Sequence, residues 1–200
     1  MLPDSIKYLL ENYEAEDINV TITKTDFSSK APLFYLLITQ PDNPNQDWVL
    51  EVTGHTASQI NFNTIQKYST IELNDNNSLL LQYTDIQCEL YFNSSTTELD
   101  NLLLELNQIS FRFYDLYQCS IIYFDNLYRT RNGLLAKGSK TLLLQYAEVL
   151  NKFKISYNII GERTPTYWDG FKHASTEELK ILILKDSYII GKDFIFNQIV

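Results

Sequence analysis

Arg129, Arg131, Lys137 and Lys140 place four cations within 12 positions, and Gly133 and Gly138 punctuate the same stretch. Ser139 can open a helix directly after it. Amide groups at a helix start, with Arg and Lys nearby, attract phosphate or carboxylate. Arg129, Arg131, Lys137, Ser139 and Lys140 are therefore the candidate anion site of this chain. A nucleotide phosphate loop requires Gly-x-x-x-x-Gly-Lys-Ser/Thr. Gly133 and Gly138 have that separation, but Ser139 stands where the lysine should be. A lysine one residue later points about 100° around the helix, away from the phosphates. The pattern argues against nucleotide hydrolysis. The plainer reading is a polar turn, capped by Ser139, whose cations are solvated.

A second candidate is the aperiodic segment 161–173, read as a loop or lid with Arg163, Tyr167, Trp168, Asp169 and His173 as its notable members. Long loops in compact chains are commonly functional. If the segment coils, Asp169 can meet His173, raise its proton affinity and support acid–base work. No nucleophile can be assigned beside them, so no catalytic residue is named. The competing structural reading has Tyr167, Trp168 and Phe171 pinning the loop to a sheet. His55, after Gly54 at a strand end, reads as a turn residue. With 2 His and 2 Cys far apart, no zinc or iron site is expected, and no calcium loop pattern is present. No cofactor is called for.

The strand, basic glycine-containing turn and helix around residues 129–141 resemble the cofactor loop of GNAT-type acetyltransferases, in which backbone amides hold the coenzyme A pyrophosphate. The resemblance covers about 30 residues and departs from that family's Arg/Gln-x-x-Gly-x-Gly/Ala spacing. It implies a coenzyme A type ligand at the turn.

The elements that must position these residues follow from periodicity. Asp4 can cap a helix whose Ile6, Leu9, Leu10 and Tyr13 share one face. Alternation predicts strands over 18–22, 34–38 and 48–53, the last two an antiparallel pair across the turn formers of 40–46. Further strands are expected at 69–73, 79–84 and 86–92, whereas 54–68 has no clean period. Ser95-Thr96-Thr97-Glu98 matches a capping box, and Leu99, Leu102, Leu103, Leu106 and Ile109 continue at helical spacing. A strand is expected over 120–124 and again over 154–160. Ser139 opens a helix with Leu143, Tyr146, Ala147, Leu150 and Phe153 on one face. Strands over 180–184, 188–190 and 194–196 close the chain. The expected fold is α+β, a predominantly antiparallel sheet or partly closed barrel with two long amphipathic helices and a short N-terminal helix.

The 200 residues are read as a single domain with a possible seam near 115–128, where charge changes. Residues 1–127 hold 18 acids and 5 basic residues, net −13, and residues 128–200 hold 7 and 11, net +4. An acidic N-terminal lobe disfavours nucleic acid as a partner, since phosphate binding scales with Lys and Arg contacts. Neither a secretory signal nor an apolar run of membrane-spanning length is found, so a cytoplasmic protein away from membranes is expected. Cys88 and Cys119 are expected to be buried, reduced core residues. Together these features predict a non-catalytic protein–protein interaction module, such as a complex subunit, adaptor or immunity-type inhibitor, that presents an acidic surface to a basic protein. The alternative is an enzyme or small-molecule-binding domain holding a phosphate or coenzyme A type anion at 129–141. Neither reading specifies an oligomeric state.

Overall fold

Alternating apolar residues produce most of the strands, and runs at helical spacing produce the helices. The computed structural model describes residues 1–14, 17–41, 44–60, 67–68, 71–94, 96–114, 121–168, 172–184 and 187–199. Helix α1 (Asp4–Asn12) precedes strands β1 (Asn19–Asp26), β2 (Leu33–Thr39), β3 (Gln46–Thr53), β4 (Ala57–Gln59), β5 (Lys67–Tyr68) and β6 (Glu72–Asn74). A 3-10 turn at Ser78–Leu80 runs into α2 (Leu81–Thr84), followed by β7 (Gln87–Phe92), α3 (Leu99–Tyr114), β8 (Ile121–Ile122) and α4 (Phe124–Arg129). Next come β9 (Gly133–Ser139), α5 (Lys140–Lys152), β10 (Tyr157–Arg163), β11 (Thr166–Trp168), β12 (His173–Ser175), β13 (Lys180–Leu184), β14 (Ser187–Gly191) and β15 (Asp193–Ile199). The architecture is mixed helix and antiparallel sheet. Its sheets are open, so the barrel expectation is corrected.

The chain forms two compact units. One comprises residues 1–77 together with 167–200, and the other is the continuous stretch 78–166. The segment 115–128, where the charge changes along the sequence, runs inside the second unit.

In the first unit, β15-β3-β2-β1-β5 make one antiparallel sheet and β4-β14-β13-β6 another, with β11 and β12 paired separately. Register keeps apolar residues on one face. Phe34 lies opposite Leu50, Leu36 opposite Trp48, and Val20 opposite Ile38. These side chains join Ile6 and Leu9 of α1 with Leu182, Leu184 and Ile189 of the second sheet in a single core. Each fully buried aliphatic or aromatic side chain contributes about 1.5–3 kcal/mol relative to an exposed one.

In the second unit the sheet order is β10-β7-β9-β8, all neighbours antiparallel. By order of appearance the strands lie 4-1-3-2, the split βαβ arrangement, with α4 added between the second and third strands. Helix α5 packs on β7, β9 and β10, and α3 packs on α5. The period-2 face of β7 buries Cys88, Leu90 and Phe92, and α5 buries Leu143, Tyr146, Ala147 and Leu150.

Several expectations need correction. Residues 79–84, read as a strand, are helical: an apolar run this short has no period to separate the two states, and here Thr84 Oγ1 donates to the Leu80 carbonyl one helical turn back. The strand expected over 120–124 keeps Ile121–Ile122, and Phe124 already starts α4. The aperiodic 54–68 contributes two short strands, β4 paired with β14 and β5 with β1. Ser95 of the capping-box pattern lies outside the described residues; Thr96 Oγ1 accepts from the Glu98 amide at 3.2 Å.

Sorting charge by folded unit changes its meaning. The first unit contains 16 acids and 8 Lys or Arg, net −8, and the second 9 and 8, net −1. The acidity resides in the two-sheet unit. Among the described residues no helix is long and apolar enough to cross a membrane.

Candidate functional site

The basic segment is not the turn that its glycines suggest. Arg129 ends α4, and Gly133–Ser139 is strand β9, so the chain passes from helix to strand to helix. A strand is formed here because Leu134 and Ala136 pair with Tyr91 and Leu90 of β7. That arrangement separates the four cations: Arg129 ends α4, Arg131 lies between α4 and β9, Lys137 is on the strand and Lys140 opens α5. Arg129 pairs with Asp125 at 3.4 Å, Lys137 with Glu89 at 2.6 Å and Lys140 with Glu162 at 2.5 Å, while Arg131 is exposed. Hydrogen bonding from Lys137 and Tyr91 holds the Glu89 carboxyl below the usual carboxylate range, and the same bond lifts Lys137 above the usual lysine value. Solvent screens exposed pairs of this kind, so they add little to stability.

The start of α5 does bind an anion, and that anion belongs to the protein. The Thr141 amide donates to Asp85 Oδ2 at 2.8 Å, the Leu142 amide to Ser139 Oγ at 3.2 Å, and the Lys140 amide to the Ile86 carbonyl at 2.7 Å. Three amides that would cradle an external phosphate are thus engaged. Ser139 is the N-cap the sequence indicates and is fully buried. Ser139→Ala should lower stability by about 0.5–2 kcal/mol in urea denaturation, since the Leu142 amide would be left without its acceptor.

The two candidate segments meet in part. Lys137 and Gly138 from one, with Gly161 and Arg163 from the other, line a cavity of about 150 Å³ floored by Gln87, Cys88 and Glu89. Pockets that hold small ligands run to about 300–1,000 Å³. Cys88 is a buried free thiol whose pKa is pushed up by burial, the opposite of what a nucleophilic thiolate needs. Cys119 lies outside the described residues. Tyr167, Trp168 and His173 belong to the other unit, where β11 pairs with β12. The Trp168 and His173 rings stand edge to face at 5.4 Å, Tyr167 is buried and Trp168 is exposed. Asp169 and Phe171 lie outside the described residues, and with them the proposed carboxylate–histidine pair.

His55 has more structure than a turn residue needs. Its ring lies 5.7 Å from that of Phe27 and 6.4 Å from that of Phe34, and its Nε2 is buried with no hydrogen-bond partner among the described residues. Burial pushes its pKa below the ordinary 6.5. The unfolded chain takes up this proton near pH 6.5 and the folded one only at lower pH. Stability from this group is therefore complete above about pH 6.5 and is lost as pH falls below it. Melting temperatures from pH 7.5 to 5 should decline, and His55→Gln should flatten the decline.

Sequence reasoning missed a concavity on the second unit. It is a groove of about 610 Å³ between α3 and α5, with Ile109, Val149 and Phe153 as its apolar part and Glu98, Glu105, Arg112 and Lys152 as charged members. The available signal was a second apolar pair on α3, Leu104 and Phe111, off the buried stripe. Among the described residues no group of His, Cys, Asp and Glu could hold a metal ion. No family model, curated protein or solved structure matches the chain.

Proposed function

We propose that the protein is a non-catalytic interaction module whose two-sheet unit meets a basic protein partner. The observation that carries this reading is the partition of charge: net −8 of the total −9 falls on one folded unit. Such a field steers a basic partner toward that unit and raises its association rate. Asp4, Asp17, Glu72 and Asp75 are exposed acids of the unit. A partner captured by pull-down at low salt should bind the neutralised quadruple variant Asp4→Asn, Asp17→Asn, Glu72→Gln and Asp75→Asn more slowly. Its affinity for the unmodified protein should weaken steeply from 50 to about 200 mM salt as screening shortens to about 7–8 Å. Salt-independent binding would overturn the electrostatic reading. A thermal-shift series with inorganic phosphate, nucleotides and coenzyme A tests the anion-site alternative. A ligand at 100 times its Kd would add about 2.7 kcal/mol, and no shift is expected because Asp85 and Ser139 already occupy the α5 amides.

A further inference from the structure

We infer that α3 packs antiparallel against α3 of a second copy of this chain, giving a twofold dimer through the 78–166 unit. Leu104 and Phe111 are 58% and 62% exposed, large apolar side chains left in water on the outer surface of α3. They are separated by two helical turns, so they project along one line of the helix. Beside that line runs the α3/α5 groove, whose wall includes Leu104 and whose apolar members are Ile109, Val149 and Phe153. The two helices run in opposite directions, as the Ser110–Tyr146 hydroxyl contact at 2.5 Å and the Glu105–Lys152 ion pair require. A ridge and a neighbouring groove on one surface suit a twofold contact, in which each copy inserts its ridge into the other's groove.

Charge selects the second copy over an unrelated helix. Glu98 and Asp100 sit at the N-terminal end of α3, and Arg112 sits at its C-terminal end. A surface acidic at one end and basic at the other complements itself when reversed. In the antiparallel pair Arg112 of each copy faces Glu98 of the other, which puts the twofold near Glu105 with Leu104 beside it and Phe111 toward the end of the contact, next to Arg112. Lys152 enters the contact already neutralised by Glu105. This association uses the nearly neutral unit and is independent of the acidic surface assigned above, so either can fail alone.

Sedimentation equilibrium of the full chain tests the inference. The unmodified protein should dimerise at micromolar concentration. Leu104→Glu and Phe111→Ser should each weaken the dimer at least 10-fold, with the melting temperature of the monomer preserved because both side chains are exposed. Arg112→Glu should weaken it similarly. Adding Glu98→Lys to Arg112→Glu should restore it, an outcome that no unrelated partner and no general loss of folding produces. A monomer at all concentrations up to about 100 μM, or a dimer indifferent to these substitutions, would overturn the proposal.

Discussion

Leu102→Ala should lower the stability of the protein by about 2–5 kcal/mol, while Leu103→Ala should cost about half as much and Leu104→Ala almost nothing. The three leucines are consecutive in α3, yet Leu102 is fully buried, Leu103 half-buried and Leu104 exposed. Successive residues turn by about 100°, so one residue type in one segment samples the core, its margin and the surface. A deleted leucine loses its transfer free energy and leaves a cavity only where neighbours enclose it. Urea denaturation of the three variants measures the ordering, and equal losses would mean that α3 is rotated relative to its partners.

Gly191→Ala should destabilise by about 1–3 kcal/mol or more, the usual cost of overpacking. A methyl group at this position would overlap Cγ1 of Val52 and approach the Thr53 carbonyl at 3.1 Å. Val52 is fully buried, so it cannot swing into solvent. Gly191 ends β14, and only Lys192 separates it from β15, where the chain leaves one sheet for the other. The crossing is pinned by the Lys192 amide on the Thr53 carbonyl at 2.9 Å and by Thr53 Oγ1 on Asp193 at 3.0 Å. Val52→Ala in the same chain should recover part of the loss by making room for the methyl. Strict additivity of the two substitutions would show that they do not touch.

Local pattern was legible wherever one face of an element meets a core. Phe34, Leu36 and Ile38 alternate because β2 buries one face, and Leu143, Tyr146, Ala147 and Leu150 recur at helical spacing because α5 buries one stripe. The Ser139 cap could be read because a buried helix start needs a side-chain acceptor. What periodicity does not carry is partnership across long separations. Asp85 at the α5 amides, Glu89 at Lys137 and Glu162 at Lys140 come from other elements, so the cations looked unsatisfied in the sequence when most were paired. The charge break near residue 128 misled for a similar reason. Residues 167–200 return to the acidic unit, and charge totalled along the chain mixes two bodies that folding separates.

That return also sets an order of events during synthesis. The 78–166 unit is continuous and can complete its sheet as soon as it leaves the ribosome. The two-sheet unit has β1, β2 and β3 early but waits for β15, whose Asp193 meets a Thr53 made 140 residues before it. Closing so long a loop is entropically slow. At about 5–20 residues per second, β3 spends on the order of ten seconds or more with an unpaired edge. Open edges recruit other strands. The nascent chain is therefore most exposed to misassembly in the interval when its inserted unit is already folded, and a chaperone that shields Trp48, Leu50 and Val52 during that interval would act where the need is greatest.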